Sequence, residues 1–473
     1  MKSSAAWTRK DLDALAERQP GRLVDLVLDF QSRLQAVEAR LAQNSANSHR
    51  PPSSDGYAKP CPKSLRQKTG RKPGGQNGHP GYTLQPVTRP DTRITHRLKL
   101  CPCGCGKNLR RQPLVRYESR QVFDLPEIRL RVTEHRAEVK VCPSTGREVA
   151  APFPQGVHAP AQYGPYFQGL LSYWRHQQLL PLDRIAQMCE DLFGQRISEA
   201  TILAVEAKLH QALAPFESQV HALLCQAKLA HFDETGLRVE GSLHWLHNAS
   251  TALMTWFGVH KKRGHLAMDA FGILPRFLGR AIHDCLESYF RYPCLHGLCG
   301  AHLLRELVFL HEVLRQRWAR QMHRLLLKML DAVHDHAPRS PPMRRIAALL
   351  RRYRALVAKG LRKNPRQPST GRRGRPPQSK AYNLLRRLRE HEASVLAFLL
   401  EPGVPFTNNQ SEQDLRMLKV LQKISGGFRT IEGATRFARI RGYISTIRKN
   451  NRNILDALAD ALQHQPFIPQ AAA

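Results

Sequence analysis

Apolar residues fall at Leu23, Val27, Phe30, Leu34, Val37 and Leu41, alternating steps of four and three that lay one seam along a helix. Fewer than three heptads are marginal alone. The seam therefore predicts either a short coiled coil with a second copy of the chain or a helix packed on its own domain. Helical period returns at residues 164–213, where Ile185, Met188, Cys189 and Leu192 form one face, Gly194 breaks the run, and Ser198 suits the N-cap of a helix over 199–213. That is a helix-turn-helix outline, which ordinary helical domains share.

The period then changes. Residues 230–239 read as a strand, with β-branched and aromatic residues ahead of Gly241. Residues 243–251 and 253–260 follow as two more strands, closed by the turn-like Lys261-Lys262-Arg263-Gly264. A helix over 266–274 ends at Pro275, and residues 280–284 form a short strand ending in an acid. The order is βββαβ, with residues 292–299 as a fifth strand. Residues 305–400 are rich in helix formers and are interrupted at 360–380 by basic residues among prolines and glycines. At Asn408-Asn409 a last helix starts, with Asn409 as its cap and Glu412 in its first turn, where a carboxylate is favoured. Glu412 could equally close a capping box.

Charge changes the picture most. The 473 residues carry 73 Lys+Arg against 38 Asp+Glu, a net charge of +35, which calls for a polyanionic partner, nucleic acid before membrane. The first residues lack the apolar core of a signal peptide and no run of about 18 apolar residues exists. The expectation is a cytoplasmic, nucleoid-associated bacterial protein. Basic stretches expected to meet phosphate include Arg373 and Arg375, in an Arg-Gly-Arg-Pro run like the core of an AT-hook or a plain basic loop, and Lys419, Lys423, Arg429 and Arg439 near the C-terminus. Four of the ten cysteines, Cys101, Cys103, Cys105 and Cys142, fall where two knuckles of a zinc ribbon would stand. Thr145 occupies the place of a second cysteine after Cys142, so a ribbon without metal is the alternative.

Two acids end apolar runs. Asp233 lies inside the first strand, on the face opposite Glu234, and Asp284 ends the fourth; neighbouring strands would set them side by side. Such carboxylates suit hard divalent cations, and two ions about 3.5–4 Å apart can clamp the attacking and leaving oxygens of a phosphodiester.

His231-Phe232-Asp233-Glu234-Thr235-Gly236, His244-Trp245-Leu246-His247, Ala249-Ser250-Thr251, His283-Asp284, Cys299-Gly300-Ala301-His302 with Leu304-Arg305-Glu306-Leu307, and Asn408-Asn409 with Glu412 together resemble transposases of the insertion sequence 66 family. The heptad helix, Pro51-Pro52-Ser53-Ser54-Asp55-Gly56 and Gly75-Gln76-Asn77-Gly78-His79-Pro80-Gly81 extend the likeness nearly end to end. The resemblance implies a multidomain α/β protein whose ribonuclease-H-like mixed-sheet core is interrupted by a helical insertion. Its acid triad would be Asp233, Asp284 and Glu412, holding two Mg²⁺ or Mn²⁺ ions. Cys299 and His302 match a pair seen after the second acid in many such enzymes, with a structural or DNA-contacting role.

The expected domains are a coiled-coil-like helix (1–45), a basic flexible linker (46–92), a zinc-ribbon-like module (93–155) and a helical DNA-binding-like domain (156–222). The core follows in two parts (223–300 and 401–450) around the insertion (301–400), with a C-terminal helix and tail (451–473). Expected partners are terminal inverted repeats, target DNA, further copies of the chain and small accessory proteins of the same element. The expected activity is metal-dependent cleavage followed by 3′-OH strand transfer. A non-catalytic DNA-binding regulator and a structure-specific nuclease are the alternatives.

Overall fold

The computed structural model describes residues 8–48, 83–368 and 378–470. Arg373 and Arg375, the Gly75–Gly81 motif and most of the expected linker lie outside these. The chain divides into two units, one of Met1–Pro62, His135–Glu190 and Gln195–Ala473, the other of Lys63–Glu134 and Asp191–Gly194.

The larger unit begins with α1 (Arg9–Arg18) and α2 (Pro20–Leu41). Val27, Phe30, Leu34, Val37 and Leu41 on the seam of α2 are exposed, so the seam is not buried against the described residues. A hairpin of β1 (Val139–Val141) and β2 (Glu148–Ala150) follows, then α3 (Pro165–Ser172), a π-helical turn (Tyr173–Gln177), α4 (Leu182–Phe193), α5 (Glu199–Ala212) and α6 (Ala214–Cys225). Ser198 caps α5 by accepting from the Thr201 N–H. The helices of the expected DNA-binding domain share one core with the sheet and the C-terminal helices: Leu209, Leu213, Phe216 and Val220 cluster with Phe232, Tyr443 and Leu458. The solvent side of α5 exposes Lys208 as its one cation beside Glu199, Leu203 and Ala204.

The five-stranded sheet runs β5-β4-β3-β6-β7, with β3 (Leu229–Val239), β4 (Ser242–Ser250), β5 (Thr255–His260), β6 (Arg280–His283) and β7 (Leu295–Leu298). The first three strands are an antiparallel meander. A parallel neighbour of β3 needs a crossover, which α7 (His265–Phe271) supplies, ending at Gly272 with φ 69 where a left-handed residue closes the helix. Thus β6 pairs parallel to β3, and β7 parallel to β6. Gly279 admits β6 against the preceding segment, because a Cβ there would lie 2.2 Å from the Ala227 carbonyl oxygen.

Alternation along β3 divides its side chains between two cores. Ala230 and Phe232 join the one built with α5 and α6, while Leu237 and Val239 pack with Leu415, Leu418 and Leu421 of α14 (Asn409–Ser425). Between β7 and α14 stand α8 (Gly300–Glu312), α9 (Arg317–His336), α10 (Met343–Lys363), α11 (Lys380–Glu390), α12 (Glu392–Val395) and α13 (Ala397–Leu400). They enclose a core of their own around Trp318, Met322, Leu326, Tyr353, Leu384 and Leu388. The chain ends with α15 (Ile431–Lys449) and α16 (Ile454–Leu462). No helix among the described residues is long and apolar enough to cross a membrane.

In the smaller unit, a bridge between Leu100 and Asn108 and the Cys101 N–H to the Lys107 carbonyl close a knuckle. Cys142 stands in the larger unit, in the turn between β1 and β2.

Candidate active site

Parallel pairing of β3 and β6 aligns Leu229 with Arg280, Ala230 with Ala281 and His231 with Ile282. Beyond that pairing the two chains continue to Asp233 and Asp284, near enough for Asp284 to raise the Asp233 carboxyl. Asp284 stands just past β6, where Cys285 takes φ 76 and the Leu286 N–H donates to Asp284 Oδ1 at 3.0 Å. That Asx turn aims the carboxylate at the sheet end. Asp233 Oδ1 accepts from the Glu234 N–H at 2.9 Å.

The third acid is brought by α14, whose first turn is fastened to the sheet. Asn408 donates its amide to the Phe232 carbonyl at 2.8 Å and accepts from His231 Nδ1 at 2.8 Å. Asn248 of β4 donates to Ser411 Oγ at 2.7 Å. The expected cap at Asn409 is thus corrected by one residue: Asn408 occupies the N-cap and makes no side-chain cap bond, because β3 engages its amide. No capping box closes either, since the Asn408 N–H donates to Cys299 Sγ at 3.2 Å. Glu412 remains free to face the site. Its Oε1 is buried without a hydrogen-bond donor among the described residues, with His302 Nδ1 and Arg305 Nη2 each 3.8 Å away.

Burial pushes the Asp233 carboxyl well above the usual carboxylate range, and Glu234, Asp284 and Glu412 push it further. Carboxylates crowded together with an unsatisfied buried oxygen are a donor set that a divalent cation would relieve. The residues present therefore fit Mg²⁺ or Mn²⁺. Cations stand at the rim. Lys419 donates to the Gly236 carbonyl at 3.2 Å and is drawn by the charge of Asp233, against a burial that lowers its pKa.

A supporting network was not legible in the sequence. Glu234 faces the other side of β3, as its parity required, but it is no idle surface acid. Its side chain is buried, accepting from Arg263 Nε at 2.7 Å and from the Tyr289 hydroxyl at 2.6 Å. Arg263 also reaches Asp284 Oδ2 at 3.5 Å and lies over the Trp245 ring. His283, whose neutral form burial enforces, stacks on Tyr289 with ring centroids 4.4 Å apart. The only hint had been a basic turn, Lys261–Gly264. Asp414, two residues beyond Glu412, lies elsewhere, bonded to Lys449 at 2.8 Å and Ser445 at 3.2 Å.

Of the cations expected to meet DNA, Lys423 and Arg429 are exposed. Arg439 donates to Glu217 Oε2 and to the His210 carbonyl, both at 2.8 Å, and so clasps α15 to α5 and α6. Cys299, buried, and His302 flank the first turn of α8 beside Glu412. In the knuckle, Cys101, Cys103 and Cys105 bring their sulfurs within 4.8 Å of one another, and Cys101 Sγ lies 3.0 Å from Cys103 Sγ. Hydrogen bonding from Cys101 and then from the main chain and thiol of Cys105 draws the Cys103 thiol down to about 7, toward the thiolate that zinc binds. At Cys142 the Thr145 hydroxyl, then the main chain of Ser144 and Thr145, draws the thiol below its usual range.

Residues 160–436 match the model of the Transposase IS66 family. Residues 99–144, from before Cys101 to beyond Cys142, match the zinc-finger binding domain of transposase IS66, and residues 12–85 match a family of unknown function. No curated protein matches the chain.

Proposed function

Because the chain belongs to the IS66 transposase family, with its zinc-finger domain, we propose that it cleaves DNA at the terminal inverted repeats of an insertion sequence and joins the freed 3′-hydroxyl to target DNA. What supports this reading is that Asp284 and Glu412 lie near enough to raise the carboxyl of Asp233: Asp233 stands on β3, Asp284 just past its parallel neighbour β6, and Glu412 on a helix start fastened to β3 and β4. We read the sheet as ribonuclease-H-like, on the strength of its order β5-β4-β3-β6-β7 with an antiparallel meander and two parallel strands. In this reading Asp233, Asp284 and Glu412 hold a pair of Mg²⁺ or Mn²⁺ ions. Such ions activate the attacking oxygen and stabilise the leaving one in phosphodiester exchange.

The chain's own residues position the DNA. Arg263 and Lys419 at the rim attract phosphate, and Lys423 and Arg429 extend the basic surface along and beyond α14. Glu234, clamped by Arg263 and Tyr289, keeps that arginine aimed at Asp284. The knuckle of Cys101, Cys103 and Cys105 would take Zn²⁺ and steady a DNA-contacting module. The exposed seam of α2 is read as a contact between copies of the chain.

The test is incubation of the protein with labelled element ends and Mg²⁺, scoring nicking and strand transfer. Nicking followed by joining is the expected result. Binding without either would leave a regulator of the element, and nicking without joining a nuclease.

A further inference from the structure

Cys299 Sγ, one imidazole nitrogen of His302 and one carboxylate oxygen of Glu412 lie within 4.8 Å of one another. They come from two helix starts. Cys299 and His302 flank the first turn of α8, Glu412 lies in the first turn of α14, and the Asn408 N–H donating to Cys299 Sγ at 3.2 Å ties the two together. We propose that Cys299, His302 and Glu412 form a site for a thiophilic divalent cation of the zinc class, sharing Glu412 with the acid cluster.

The donor mix separates this site from the carboxylate cluster. Thiolate and imidazole are ligands that zinc accepts, whereas magnesium requires oxygen. Three protein donors leave the fourth position of a tetrahedral ion open, the count of an exchangeable rather than a closed structural site. Binding replaces the thiol proton: the S–H bond breaks, its proton goes to solvent, and the sulfur lone pair binds the cation. Without an ion, burial holds the thiol up at about 11, although the N–H groups of Asn408, His302 and Ala301 face the sulfur and favour its thiolate. The neighbouring cation is Arg305, 3.8 Å from Glu412 Oε1, and it must yield that oxygen in part. Taking Glu412 withdraws a ligand from the acid cluster, so zinc would antagonise magnesium. That consequence rests on the triad proposed above; the binding itself does not.

Cobalt(II) is the probe, since a thiolate ligand gives it a charge-transfer absorption. The full chain and its Cys299→Ser, His302→Gln and Asp233→Asn variants are titrated with Co²⁺, with folding followed by circular dichroism. Wild type and Asp233→Asn should give the same thiolate charge-transfer absorption per chain, and Cys299→Ser and His302→Gln should each lose one site's share of it. The cysteines of the knuckle contribute equally to all four and cancel. Should Cys299→Ser fail to fold, His302→Gln, altered at a half-buried position, decides alone. Equal thiolate absorption across the set would overturn the site, as would a loss of it confined to Asp233→Asn. Absence of nicking with Mg²⁺ would refute the transposase reading and leave the cobalt result standing, so the two failures are distinguishable.

Discussion

Asn408 donates its side-chain amide to the Phe232 carbonyl at 2.8 Å, so the helix that carries Glu412 is tied to the strand that carries Asp233, 176 residues earlier. The same amide oxygen accepts from His231. Asn408→Ala would leave a buried carbonyl and a buried imidazole N–H without partners, a cost of about 1–3 kcal/mol. Its melting temperature should fall by a few degrees, and Mg²⁺-dependent nicking should fall further than that loss of folded protein explains. A variant with a lowered melting point and unchanged nicking per folded molecule would show that Glu412 needs no such tie.

The acids are separable by substitution. Asp233→Asn, Asp284→Asn and Glu412→Gln should each abolish nicking and joining while leaving metal-free end binding within a fewfold of wild type in a gel-shift titration. Asp414→Asn should act on stability instead, on the order of 3 kcal/mol, because Lys449 would keep its buried charge without a counter-ion. Full strand transfer by Glu412→Gln would remove it from the triad.

Removing a crowded carboxylate should stabilise the metal-free chain. Asp233 is held above its ordinary range in the folded state, so folding favours its protonated form. Below about pH 3.9 both states are protonated and the penalty is absent. As pH rises from there, the unfolded chain ionises first and the folded chain loses stability, until the raised folded value is passed and the loss is complete. In chelator, the melting temperature of Asp233→Asn should therefore exceed that of wild type increasingly with pH, and Mg²⁺ should narrow the gap. A difference independent of pH would contradict the crowding of these acids.

Leu34→Asp together with Val37→Asp should dissociate copies of the full chain at micromolar concentration, since both side chains are exposed on α2 and a charged seam cannot pair. Sedimentation velocity would show it. A wild-type chain that already sediments as a monomer at tens of micromolar would end the coiled-coil reading.

Salt should govern DNA affinity. With a net charge of +35 and many phosphates neutralised, affinity for any duplex should fall on the order of a thousandfold for a fourfold rise in salt. A flat response would show that phosphate contacts are few.

Much of the sheet could be read from the chain itself, because a period of two, turn residues and β-branched runs are local properties. They located β3, β4 and β5, the short strand before Asp284 and the helix start at Glu412, each to within a few residues. Parity also placed Asp233 and Glu234 on opposite faces of one strand. Which residues would meet across those faces was a long-range matter. The tie from Asn408 to Phe232, the clamp of Arg263 and Tyr289 on Glu234, and the capture of Arg439 by Glu217 join segments whose spacing leaves no trace in any local window. Burial decided the rest: a charge on a helix reads alike whether it meets solvent or a partner, so the cations of α14 and α15 looked equivalent until packing enclosed Arg439 and left Lys423 exposed. Local pattern determined the elements and their order; tertiary packing alone decided which of these acids approach one another, because the contacts that join their segments, such as Asn408 to Phe232, are long-range.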